Sequence, residues 1–435
     1  MEKNMNNSEN SAEILTDGDV QTIEIAKPKK KLTSTNYALL STHGFNYVVS
    51  VFVSTFLISY IYKISDNYVL NIGLFYCFNY LSMGIFSYIV SSIIDKTNRV
   101  ICYRIAIIVR ALFILAVVFM GEKLASIVIL AGLLHGFSEA WYWCSFNVMK
   151  NELVPNSCMK RYTTLQIIEN KGVNFIAPII LGTIIDADSF KTSAIIIFIM
   201  ATIQIVLSFF IKSNKPENAK FDMKAFLKDI KSSEKHKELF KICFISSMLF
   251  GATTLVSPIN TIIVMLTFNS NFSLGLLTGV FSAVSIVMLM IAKKLSKANR
   301  STPIYIICAI TSVAATVLVT IITTKITLII FNFVYIACST FYSYYFDLYR
   351  NVLLKKLKMY DDIAEYQGMI EIILEISRVI GFVLMIVTGI IGASIGGEGL
   401  VVALKVFFII TIIIYALVNL AFNKFEKKLI KYGIL

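Results

Sequence analysis

Tyr68–Ile94 contains no aspartate, glutamate, lysine or arginine, and apolar runs of similar length recur along the whole chain. About 20 residues of helix cross the hydrocarbon of a bilayer. Inside lipid each backbone amide must be satisfied within its own segment, so such runs are expected to be helices. The composition agrees: 57% of residues are hydrophobic and 15% are charged, against roughly 25% charged in a soluble domain. The sequence therefore predicts an all-α membrane protein.

Twelve transmembrane helices are expected. The first six are Asn36–Tyr62, Tyr68–Ile94, Val100–Met120, Ala125–Met149, Thr164–Ile185 and Ser193–Ile211. The second six are Ile242–Phe268, Phe272–Ala292, Ile304–Thr323, Ile326–Leu348, Met369–Ile391 and Val401–Asn423. Residues 1–33 read as a disordered cytoplasmic tail, 34–211 as an N-terminal six-helix bundle and 212–241 as a basic cytoplasmic linker. Residues 242–423 read as a C-terminal six-helix bundle and 424–435 as a second basic tail. No apolar core follows a basic start, so no cleaved signal peptide is expected.

Lysine and arginine fix the expected orientation, because cytoplasmic loops collect them. With this span assignment, one side holds 31 of them and the other holds Lys63, Lys123, Lys191 and Lys325. Both termini are then cytoplasmic, in a multi-pass protein of the cell membrane. The net charge of +13 serves orientation, and no nucleic-acid partner is expected. Within the linker, Met223, Phe226, Leu227 and Ile230 recur at helical spacing. They form an amphipathic helix that either lies on the inner leaflet or is a solvated connector.

Catalytic chemistry is poorly represented. No phosphate-binding loop and no nucleophile elbow occurs. His43, His135 and His236 are too scattered for a zinc site. The cysteines lack paired spacing and read as small packing residues. Neither an enzyme, a metal nor a cofactor is indicated.

The two halves echo each other. Asn98-Arg99 is matched by Asn299-Arg300, Lys150-Asn151 by Arg350-Asn351, and Lys171 by Arg378. A duplicated six-helix unit, typical of secondary transporters, accounts for the order of the matches.

Further motifs sharpen this. Asp95-Lys96-Thr97-Asn98-Arg99, followed by Arg110-Ala111-Leu112, resembles the region between helices two and three of major facilitator superfamily transporters. The similarity is nearest to the macrolide-efflux and siderophore-exporter branch. Asn147, Glu152-Leu153-Val154-Pro155, Leu165, Asn170 and Ala177-Pro178 through Gly182 are similar to the same branch. The chain departs from it at Ile107, where that branch has an acid, and at Ala177 and Leu181, where it has glycines. The resemblance implies two pseudo-symmetric six-helix bundles and export by alternating access.

Ionisable residues within spans are costly and mark function. Glu139 and Arg110 fall at similar depth in adjacent spans. Glu139 is either a proton carrier tuned by Arg110 or half of a permanent ion pair. Glu371, Glu375 and Arg378 share one helical face, which is either a second proton-coupling group or a hydrated helix end. Asp95, Arg99 and Arg104 form an expected cytoplasmic gate, with plain orientation and helix capping as the alternative. Trp141, Trp143, Tyr342 and Tyr345 are candidate substrate contacts, suited to a bulky apolar or cationic ligand. For span ten, packing or an interfacial belt is the alternative.

The expected function is proton-coupled efflux of a bulky hydrophobic or cationic small molecule by a monomer in the bilayer. Uptake of a nutrient or peptide by symport is the alternative, and a non-transporting membrane sensor or immunity protein is a third.

Overall fold

The computed structural model describes residues 31–94, 96–212, 221–232, 234–297, 301–356 and 363–431. Asp95 and nearly all of the expected N-terminal tail lie outside the described residues, as does the side chain of Tyr345. The described elements are all helical. Helix α1 runs over Ser34–Ile64 with a π-helical stretch at Phe52–Leu57. Then come α2 (Tyr68–Ile94), α3 (Arg99–Met120), α4 (Val128–Leu153), α5 (Asn156–Ala187) and α6 (Phe190–Ser208). A short α7 (Met223–Lys231) follows. Helix α8 joins Glu234–Ala252 to Val256–Phe268 through a tighter turn at Thr253–Leu255. The rest are α9 (Asn271–Lys297), α10 (Ser301–Ile321), α11 (Lys325–Lys356), α12 (Ile363–Ile395) and α13 (Gly399–Lys431).

Among the described residues ten stretches are long and apolar enough to cross a membrane, and one of them, Arg99–Leu153, is α3 and α4 together. Helix α12, at 33 residues, is as long as α13. Several helices outrun their apolar cores. Helix α13 carries the expected basic tail as helix to Lys431, and Lys428 meets Glu238 of α8 at 3.2 Å. Lysine and glutamate are strong helix formers, so the helix continues where the apolar run stops.

The packing repeats. In the first half α1 packs on α5 and α6, α2 on α4, and α3 on α4 and α6. In the second half α8 packs on α12 and α13, α9 on α11, and α10 on α11 and α13. Two long seams join the halves, α2 against α12 and α5 against α9. At the second seam Gly275 and Gly279 of α9 lie on the backbone of α5. A Cβ at Gly275 would stand 2.1 Å from the carbonyl oxygen of Pro178. Small residues are what allow helices in lipid to approach so closely.

The face carrying α7, here the linker face, is closed along α2–α12 by apolar contact. Ala364 joins Val90, Ile94, Cys102, Cys144 and Val148 in one buried cluster. Helix α7 corrects the sequence expectation. Helix α7 packs on α8, and Phe226 and Ile230 are buried in a cluster with residues of the second half, so the apolar side faces protein rather than lipid. Phe221 packs on Tyr88 of α2, and the Asp222 amide donates to Glu365 Oε1 of α12 at 2.8 Å.

The far face is closed by a feature that sequence reading missed. Asp186, at the end of α5, accepts from Ser270 Oγ (2.7 Å), Phe272 N (2.8 Å) and Asn271 Nδ2 (2.8 Å). A carboxylate on the free amides that open α9 is favoured by both hydrogen bonding and the helix dipole. Ser59 of α1 donates to Asn271 Oδ1 at 2.6 Å, which ties a third helix in. Replacement Gly275→Val is expected to force α5 and α9 apart and to cost about 1–3 kcal/mol. Thermal unfolding in detergent measures this, and an unchanged melting temperature would contradict the close approach.

Candidate functional site

At mid-depth, α4 presents His135, Glu139 and Trp143 at four-residue spacing, hence on one face. Arg110 of α3, 1% exposed, donates through Nη2 to Glu139 Oε1. Trp143 Nε1 donates to Glu139 Oε2 at 2.7 Å, so both carboxylate oxygens are engaged. His135 Nδ1 lies 2.7 Å from Asn79 Oδ1 of α2, an acceptor, which assigns the ring proton to Nδ1. Its Nε2 is 3.7 Å from Glu139. The Arg110 guanidinium stands 4.8 Å above the Tyr142 ring.

Tyr142 continues the network. Its hydroxyl is 2.5 Å from Nδ1 of His43 in α1, and that ring stacks on Phe146 at 3.9 Å. His43 Nε2 lies 2.8 Å from Gln166 Nε2, an amide donor, so Nε2 accepts and Nδ1 carries the proton. Lys150 fixes that amide by donating to Gln166 Oε1 at 2.8 Å. This buried histidine network was invisible in sequence, because its members lie far apart along the chain.

Helix α12 supplies the second charged group. Arg378 Nη1 donates to Glu375 Oε1 at 2.5 Å and its guanidinium stands 4.8 Å over the Tyr80 ring of α2. Glu371 is 7% exposed and Glu375 is 2% exposed, so the group is buried and the hydrated reading fails. The reason is the α2–α12 seam, which covers this end of α12 along its length. Helix α2 stands between the two charged groups. Asn79 touches the α4 site while Tyr80 and Gly84 touch α12.

Other expected residues are placed differently. Trp141 lies two positions from both Glu139 and Trp143 and so on the opposite side of α4. It packs on Phe137 at 5.5 Å and against the linker-face cluster. Tyr342 is 1% exposed and fills the second half's core, 4.8 Å from Phe422 and 5.8 Å from Phe250. The expected gate also changes. Arg99 pairs with Glu152 at 2.5 Å, within the first half. Arg104 donates to the Ser208 carbonyl at 3.2 Å and covers Phe209 at 4.4 Å, which anchors α6 instead of spanning the halves. Asn98 caps α3 by accepting from Val100 N at 2.9 Å. The echoed cations both cross between halves. Lys171 of α5 donates to Ser285 of α9 at 2.7 Å, as Arg378 of α12 covers Tyr80 of α2.

Paired helical halves meeting around buried charges define a multi-pass membrane transporter. The Major Facilitator Superfamily profile matches residues 38–359. The chain belongs to that superfamily, which makes it a transporter of small molecules and not an enzyme. Two structures of the nucleoside transporter NupG, one a point mutant, share this fold. Their TM-scores are 0.67 for the mutant and 0.65 for the unsubstituted protein, each at 14% identity. They cover 90% and 91% of this chain, and 99% and 100% of their own. "Uncharacterized protein YqgE" of Bacillus subtilis (strain 168) is 25% identical over 263 residues, 59% of this chain and 60% of that protein.

The saturated Glu139 carboxylate makes a direct prediction. Replacement Arg110→Met strands a buried charge and is expected to cost about 3–5 kcal/mol. Adding Glu139→Gln to the same chain is expected to restore most of that loss in a melting experiment. Equal stability of the single variant and the parent would remove the pair from the architecture.

Proposed function

We propose that the protein is a proton-coupled transporter working by alternating access, with the linker face toward the cytoplasm. The observation that carries this reading is the α12 group, in which Glu375 is buried and paired with Arg378, and Glu371, one turn before it on the same face, is buried as well. Two buried carboxylates so close together favour retention of a proton by one of them. Release of Tyr80 from Arg378 as the α2–α12 seam parts would change that preference, and so link protonation to rocking of the halves. Both Glu139 oxygens are engaged, so Glu139 serves as the fixed counter-charge of Arg110 and Glu371–Glu375 as the proton carrier.

We further propose efflux of a bulky aromatic or cationic compound. The motif resemblance supports it, as do the aromatic rings of Tyr47, Trp143 and Tyr80 beside the buried polar groups. A second reading is uptake of a polar heterocycle, since Gln166, Asn170 and Asn174 offer neutral hydrogen-bonding amides beside those rings. The nucleoside transporters that share the fold are in keeping with that reading.

Proteoliposomes with an imposed pH gradient test the coupling. Accumulation of a transported solute is expected to follow the gradient in the parent. In Glu375→Gln it is expected to vanish while solute exchange across the membrane persists. Gradient-driven accumulation intact in both Glu371→Gln and Glu375→Gln would overturn the assignment. The side on which solute collects decides between export and uptake.

A further inference from the structure

Glu169 of α5 was part of neither charged group. Its carboxyl rests on Gly44 of α1, so that a Cβ there would stand 2.1 Å from Glu169 Oε1. Oε2 is sealed from solvent, and among the described residues neither oxygen has a hydrogen bond or an ion pair. Among the described residues no cation pairs with it, and Lys150 of α4 reaches only Gln166, one turn before it on α5. Helix α1 contributes Tyr47, and α5 itself contributes Tyr162 and Lys171, the last turned away to Ser285 of α9. Helices α9 and α6 hold their nearest charges, Lys293 and Lys191, toward their ends. His43 is neutral by its partners and is separated from Glu169 by Gln166. The corresponding contact in the second half, where Gly251 of α8 meets α12, is made by the neutral hydroxyl of Ser377.

An ionised carboxylate without a cation or donors is costly in such a place, and the affordable form is the neutral acid. We infer that Glu169 is a second proton site, in the first half, which holds a proton while the carboxyl is seated on Gly44. The site rests on the proposed proton coupling for its use in transport, but its occupancy does not. The proton binds at a carboxylate oxygen and leaves to water once the carboxyl is unseated, so no other reactant is needed. The packing against Gly44 sets the seat. Alanine there would drive the carboxyl out toward water, where about 4.3 is the usual glutamate pKa and the group ionises.

Infrared difference spectra of the full chain in lipid nanodiscs, titrated from neutral to alkaline pH, test this without any substrate. The parent is expected to lose carboxylic-acid C=O intensity on titration, and Glu169→Gln to lack one component of that loss. Gly44→Ala, which keeps the glutamate, is expected to lack the same component. Helix stability favours that variant at its own position, since alanine replaces glycine. Identical spectra for the parent and Glu169→Gln would overturn the inference. A missing component in Glu169→Gln together with solute transport indifferent to pH gradients would uphold the site while removing the coupling reading.

Discussion

Arg110 and Glu139 are buried at mid-depth in a protein that offers them almost no water. Each would be too costly alone, and together they still need their surroundings to offset what the pairing leaves over, since only Nη2 of the buried guanidinium donates. That requirement draws in Trp143 for the second carboxylate oxygen, Tyr142 beneath the guanidinium and, through Tyr142, His43 of α1. Three helices of the first half are thereby held at one depth. Arg378 and Glu375 impose a similar demand in the second half, and Tyr80 of α2 meets part of it from across the seam. The polar interior thus binds the halves where they must also be able to part.

The outer ends of the molecule close by different physics. On the far face a single carboxylate, Asp186, holds the amides that begin α9. On the linker face the closure is apolar, with Ala364 among Val90, Ile94 and Val148, and α7 laid across it through Phe221 and Asp222. A directional hydrogen-bonded clasp releases abruptly once its geometry fails, whereas apolar contact yields with area.

Much of the architecture was legible in the sequence. The apolar runs mark the helices because lipid leaves no other way to satisfy the backbone. The echo of Lys171 in Arg378 marks the repeat, and in the structure both cations reach the opposite half. Arg110 and Glu139 could be paired from depth alone, since adjacent helices share a turn. Other parts could not be read. The role of Trp141 failed because depth says nothing about azimuth, and two residues along a helix turn a side chain to the opposite side. Burial of Glu371 and Glu375 depends on α2, distant in sequence, lying along α12. Nothing in the sequence sets Glu169 apart, and only its seat on Gly44 and the buried Oε2 without a hydrogen bond single it out.

The central claim is that two rigid halves exchange one closed face for the other around these buried charges. Pulsed spin-label distances test it most directly, with one pair of labels on the linker-face ends of α5 and α9 and another on their far-face ends. As the pH is lowered, the account predicts that one distance distribution lengthens while the other shortens. Two distributions that stay fixed, or that move in the same sense, would contradict it.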